Sequence, residues 1–273
     1  MSSINVDPPA GPVPPTGGEP SGAGGVNRSI PSGVRVLAFA LIAGAFAGVA
    51  SWGVGEQVQG RFRPQLTAPA GGGFPSPEEA RATQDGIRKG DAIEATVAFG
   101  IMGAFLGCCL GAAGGLSRGS GRSALIAGIG GAICGGVVGA AAGWFVAPLH
   151  LLNQGEDDDL LQAFLIQCGI VVPLGVVGGA AFGWGLGGRS AALRAIVGGV
   201  VGAVVGAMAF QLIGAIALPL DGASKPISDT SVSRLVARLA VAVLIALGAA
   251  RTVFQNPRKV EKPAADLPNA TPA

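Results

Sequence analysis

Residues 95–146 read ATVAFGIMGAFLGCCLGAAGGLSRGSGRSALIAGIGGAICGGVVGAAAGWFV. Two apolar runs, 95–116 and 124–146, flank a short turn that carries Arg118 and Arg122. Each run has the length a helix needs to cross a bilayer, about 20 residues. Glycine recurs at Gly103, Gly107, Gly111 and Gly115 in the first run, and at Gly131, Gly135, Gly139 and Gly143 in the second. A residue repeated every four positions drifts only slowly around an α-helix, so each row makes one groove without side chains. In water each glycine would cost such a helix about 1 kcal/mol relative to alanine. In hydrocarbon, burying leucine gains little and association rests on van der Waals contact, which a bare groove maximises. The stretch therefore predicts a transmembrane hairpin packed backbone to backbone, a glycine zipper.

Working outward, four further apolar runs follow the same pattern: 34–54, 160–186, 192–218 and 235–254. Crossing four has Gly175, Gly179, Gly183 and Gly187; crossing five has Gly198, Gly202, Gly206 and Gly214, with Phe210 interrupting the row. Crossing one carries a weaker row, Ala40, Gly44 and Gly48. Pro173 lies inside crossing four and is expected to kink it, because proline lacks the N–H and clashes with the preceding turn. Crossing six is the shortest, and Arg234 and Arg238 at its start are expected to snorkel to the interface. Of 273 residues, 49% are hydrophobic and 12% charged, where soluble domains carry about 25% charged residues. The mean hydropathy is +0.56. The fold class is thus all-α: a polytopic membrane protein of about six transmembrane helices.

The chain also resembles itself. Aligning 121–144 with 188–211, an offset of 67, matches 12 of 24 positions, including GRSA against GRSA and VVGA against VVGA. Upstream, Gly107 and Gly115 match Gly175 and Gly183 at an offset of 68. The repeating unit is a two-helix hairpin, residues 95–149 and then 160–220, and two crossings per unit give the copies one orientation. Pro148 and Pro219 stand near the ends of the two units.

The remaining segments are polar. Residues 1–33 and 255–273 are Pro-rich tails that cannot bury enough apolar surface to fold, so they read as disordered. Residues 55–94 form a polar connection in which Ser76-Pro77-Glu78-Glu79 is a helix-start signature. It predicts a short surface helix over 77–89, able to run on toward crossing two although Gly86 and Gly90 weaken it. Residues 150–159 hold the acidic run Glu156, Asp157, Asp158 and Asp159, and 221–234 form a last loop. The first apolar run also admits a signal-peptide reading, with Gly48-Val49-Ala50 before the cut, but the leader is too long to favour it. Arg28, Arg35, Arg118, Arg122, Arg189, Arg194 and Arg251 fall on one side of the six crossings, and the acidic run falls on the other. The positive-inside rule then places both termini in the cytoplasm of a cell-membrane protein, with Arg234 and Arg238 as the dissent. Trp52, Trp144 and Trp184 near crossing ends suit an aromatic belt.

Candidate chemistry is sparse. The net charge of +2 gives no basic surface for nucleic acid. Cys108, Cys109, Cys134 and Cys168 lack metal-ligand spacing and read as small packing residues. With one histidine, His150, and no tyrosine, no catalytic constellation is legible, and neither cofactor nor metal is expected. The acidic run could attract a hard cation but lacks calcium-loop spacing, and it reads as a solvated helix-start cluster. Gln167 and Gln211 could hydrogen-bond between helices or, with the Pro173 kink, line a solute path. Arg122-Ser123 and Arg189-Ser190, at equivalent turns, suit orientation signals or anionic head groups. The leading expectation is a non-catalytic membrane protein that acts through glycine-mediated packing, as a homo-oligomer or with a membrane partner. The alternative is a channel or transporter for a small solute.

Overall fold

The structure is a computed structural model that describes residues 33–62, 76–152, 160–217 and 230–254. Both tails up to residue 32 and from 255, the run Glu156 to Asp159, and Pro219 lie outside the described residues, together with the expectations attached to them. The regular structure of the described residues is helical: α1 (Gly33–Glu56), α2 (Pro77–Ser117), α3 (Gly121–Leu152), α4 (Leu160–Leu186), α5 (Arg189–Ala217) and α6 (Ser231–Phe254). All six are long and apolar enough to cross a membrane.

Local chemistry sets the helix ends. The Ser76 hydroxyl accepts from the Glu79 N–H at 3.3 Å, and the Glu79 carboxylate accepts from the Ser76 N–H at 2.8 Å. This reciprocal box satisfies two donors that would otherwise be orphaned. From that cap α2 runs unbroken for 41 residues, so the helix at 77–89 and crossing two are one element, uninterrupted at Gly86 or Gly90. α3 likewise continues through Pro148 to Leu152, and α4 through Pro173 to Leu186. α6 starts earlier than residue 235. Thr230 caps it, its hydroxyl accepting from the Ser233 N–H at 3.3 Å and its carbonyl from the Arg234 N–H at 3.1 Å. Arg234 is thereby drawn into the helix. The turns after α2 and α4 close on Gly119 (φ 77°) and Gly187 (φ 103°), backbone angles that side chains disfavour. Gly187, expected in a packing row, is therefore a turn residue.

Neighbouring helices close a circuit, α1 to α2, α4, α5, α6 and back to α1, with α3 seated against α2 and α4. Gly33 lies against Phe254, so both ends of this circuit meet at the end of the bundle that holds the turns after α2 and α4. The central apolar cluster is built from Val36 on α1, Leu106 and Leu110 on α2, Leu174 and Phe182 on α4, and Ile245 on α6. Among the described residues α3 contributes nothing to it. Instead α3 turns Ile129, Ile133 and Val137 outward, as α5 turns out Val197, Val201 and Val205. On these two faces small residues point inward and branched ones outward, the reverse of a water-soluble surface helix.

The glycines explain how closely the helices approach. A Cβ added at Gly103 would meet the Gly135 carbonyl oxygen, and one added at Gly135 would meet that of Gly103. Gly107 and Gly131 are reciprocal in the same way. Gly111 and Gly115 face Ala127 and Ala124, while Gly139 and Gly143 face Phe99 and Ala95. Between α4 and α5 the facing pairs are Gly175 with Gly199, Gly179 with Ala195, and Gly183 with Ala192. The row Gly198, Gly202 and Gly206 does not face α4. It faces Gly248, Leu244 and Val241 of α6. Gly214 is buried near the end of α5.

Replacing Gly107 by leucine is expected to lower the thermal midpoint of the purified protein sharply. Its first carbon falls on the backbone of α3, and overpacking costs about 1–3 kcal/mol even where side chains can yield. Gly130→Ala serves as the control, since a Cβ there meets nothing within 4 Å. Equal midpoints for the two variants would contradict this packing.

Candidate functional site

The contacts between α5 and α6 loosen toward the end of the bundle opposite the arginine turns. Along the α5–α6 row, backbone stands directly where a Cβ at Gly198 or Gly202 would go, whereas at Gly206 the nearest atom is 3.0 Å away. One turn further, Phe210 replaces glycine and is 1% exposed. The helices part there, and polar side chains fill the space.

α6 supplies Arg234 and Arg238, which lie four residues apart and so on one face. Both are only 8% exposed. They do not snorkel outward, because partners stand within the bundle. The Arg234 guanidinium grips the Glu56 carboxylate in a bidentate pair, Nε to Oε1 at 2.7 Å and Nη2 to Oε2 at 2.8 Å. Arg238 donates to the Ser51 carbonyl. Its guanidinium lies over Gly55, in the space a Cβ would need. A carbonyl has two lone pairs, so Ser51 can serve the helix and the arginine together. Trp52 Nε1 donates to the Ser231 carbonyl at 3.1 Å and fastens the end of α1 to the start of α6. On α2, Glu94 is 2% exposed and accepts from the Gly60 N–H at 3.3 Å.

The glutamines join this cluster from α4 and α5. Gln211 Nε2 donates to Gln167 Oε1 at 3.0 Å. Gln167 also borders a cavity of about 40 Å³ lined by Met102, Val171, Phe210, Arg234 and Arg238. A water needs roughly 10–15 Å³ of such space, so the cavity suits a few waters or a small ion rather than an organic substrate. Pro173 is not part of this lining. It stands six residues beyond Gln167 on α4, about 9 Å along the axis. Of the three residues expected on a solute path, two therefore meet and one is apart.

Sequence reasoning missed Ser51, Gly55 and Glu56 as partners of the α6 arginines. The signal was an acid at the end of crossing one, on the side where crossing six begins with two arginines four apart. The cysteines are free thiols, with Cys108 and Cys134 exposed. Among the described residues no group of His, Cys, Asp or Glu is placed to hold a metal ion.

Glu56→Gln should destabilise the protein by roughly 2–4 kcal/mol, because it strands a buried cation. Adding Arg234→Met should recover part of that loss, and denaturant unfolding in detergent measures both. A double variant no more stable than the single one would dissolve the pairing argument. No family model, no curated protein and no solved structure matches the chain.

Proposed function

We propose that this chain is a non-catalytic multi-pass protein of the cell membrane whose glycine zippers build a tightly packed bundle, and that it acts as a packing component of the bilayer, alone or with a membrane partner. The observation that carries this reading is the approach of backbone to backbone at Gly103 and Gly135, Gly107 and Gly131, Gly175 and Gly199, and Gly198 and Gly248. Such contact is what holds helices together where the solvent is itself apolar. The outward branched residues of α3 and α5 support the same reading, since lipid tails would cover them.

The bundle reads as one hairpin used twice. Three facing pairs recur with both members shifted by 68: Gly107–Gly131 as Gly175–Gly199, Gly111–Ala127 as Gly179–Ala195, and Gly115–Ala124 as Gly183–Ala192. The αL turn residues Gly119 and Gly187 are separated by the same 68. Orientation with both termini in the cytoplasm is supported by Arg118, Arg122 and Arg189 standing at the end where Gly33 meets Phe254.

The rows are occupied within one chain, so any self-association would use other surfaces. Gly135→Leu tests this. The expected result is a sharply lowered thermal midpoint with helicity retained, since each helix satisfies its own backbone in an apolar solvent. A folded protein that merely falls from oligomer to monomer would mean the row works between chains, and would overturn the proposal.

The second reading, passage of a small solute, is favoured by the cavity between Gln167 and Arg238. Ionisable groups inside a membrane are costly and commonly mark such paths. Flux of monovalent ions or small polar solutes in proteoliposomes, abolished by Gln167→Leu with Gln211→Leu, would establish it in place of the packing role. Wild-type vesicles as tight as empty ones would remove it.

A further inference from the structure

At the end of the bundle opposite the polar cluster, the two hairpin turns bring three arginines together. Arg118 caps the C-terminus of α2, Arg122 stands in the first turn of α3 and Arg189 opens α5. All three are exposed, and among the described residues none has a carboxylate partner. With Ser120, Ser123 and Trp184 they line a cavity of about 510 Å³. Arg118 is held inward because its guanidinium lies over Gly187, where a Cβ would collide with it. The Ser123 hydroxyl donates to the Gly185 carbonyl at 3.1 Å and fixes α3 to α4 at this point. α3 and α5 begin here while α2 and α4 end here, so the helix dipoles offset one another and the positive charge of this end is that of the arginines.

Directly beneath lies an apolar groove of about 430 Å³ between α3 and α4. Gly130, Ala180 and Ala181 keep it open, while Ile126 and Trp184 form its ridges, 58% and 69% exposed. Ile126, Ala127 and Trp184 line both spaces, so the basic cavity and the groove are continuous. Each falls within the roughly 300–1,000 Å³ usual for ligand sites.

We propose that this is a binding site for one anionic phospholipid, its phosphate on Arg118, Arg122 and Arg189 and an acyl chain in the α3–α4 groove. Three exposed cations without a carboxylate partner among the described residues match a head group with net negative charge, and a zwitterionic head group leaves them uncompensated. They sit where the helices end, which is the depth of head groups, and Trp184 is a side chain that prefers that level. A role in orienting the hairpins accounts for the arginines but not for a groove opening from beneath them. A soluble phosphate would use the arginines and leave the groove empty.

The test is lipid titration of the purified full-length chain in detergent, read by native mass spectrometry, with phosphatidylglycerol and phosphatidylcholine as probes. One phosphatidylglycerol should be retained in clear preference to phosphatidylcholine. Replacing Arg118, Arg122 and Arg189 by glutamine should weaken it about fivefold for each arginine, on the order of 100-fold for all three. Gly130→Leu fills the groove where a Cβ meets nothing, so it should keep the wild-type thermal midpoint in phosphatidylcholine while losing phosphatidylglycerol. Equal retention of the two lipids by the wild-type protein, or undiminished phosphatidylglycerol binding in either variant, would overturn the proposal. So would displacement of the lipid by equimolar inorganic phosphate, which would identify a soluble-anion site instead.

Discussion

Where one α-carbon meets the carbonyl oxygen of a neighbouring helix, nothing larger than hydrogen fits between them. Gly103 and Gly135 meet in this way, each presenting its hydrogen to the other's oxygen, as do Gly107 and Gly131, Gly175 and Gly199, and Gly198 and Gly248. This is the arrangement of paired Cα–H···O contacts, worth about 0.5–1 kcal/mol each, together with the dispersion that close backbones share. In hydrocarbon these terms do not compete with a solvophobic drive to bury leucine. They therefore decide which helix faces touch, and on α3 the branched side chains are left to the outside. The outward Ile129, Ile133 and Val137 of α3 and the inward Gly131, Gly135 and Gly139 are two consequences of one constraint.

The polar end of the molecule exists because that constraint relaxes. Glycine rows hold α5 against α6 as far as Gly202, and the fit loosens at Gly206 and ends at Phe210. Into the widened space α6 places Arg234 and Arg238, and α1 answers with Glu56 and the Ser51 carbonyl. Burying a guanidinium among apolar helices is costly unless its charge and donors are met. Gly55 contributes by what it lacks, since its missing side chain is the room the Arg238 guanidinium takes. The same device recurs at the other end, where Gly187 makes room for Arg118. Close packing in the middle thus separates two differently built ends. One carries cations already paired within the bundle, and the other carries exposed cations at the hairpin turns.

Six apolar runs, their lengths and the four-residue spacing of glycine were legible from residue order, because length and periodicity are local properties that a bilayer reads directly. The start of α2 was legible for the same reason, its capping box needing only Ser76 and Glu79. Helix pairing was not. Aligned by residue identity, Gly131 corresponds to Gly198 at an offset of 67, yet the partner facing Gly175 is Gly199. One residue is about 100° around an α-helix. That step carries the glycine row of α5 away from α4 and onto α6, and no one-dimensional comparison can see which neighbour waits there. The fate of Arg234 and Arg238 was hidden likewise. Whether a cation near a helix start snorkels or turns inward depends on a carboxylate some 180 residues earlier in the chain, at Glu56, and only the packing of α1 on α6 brings the two within hydrogen-bonding distance.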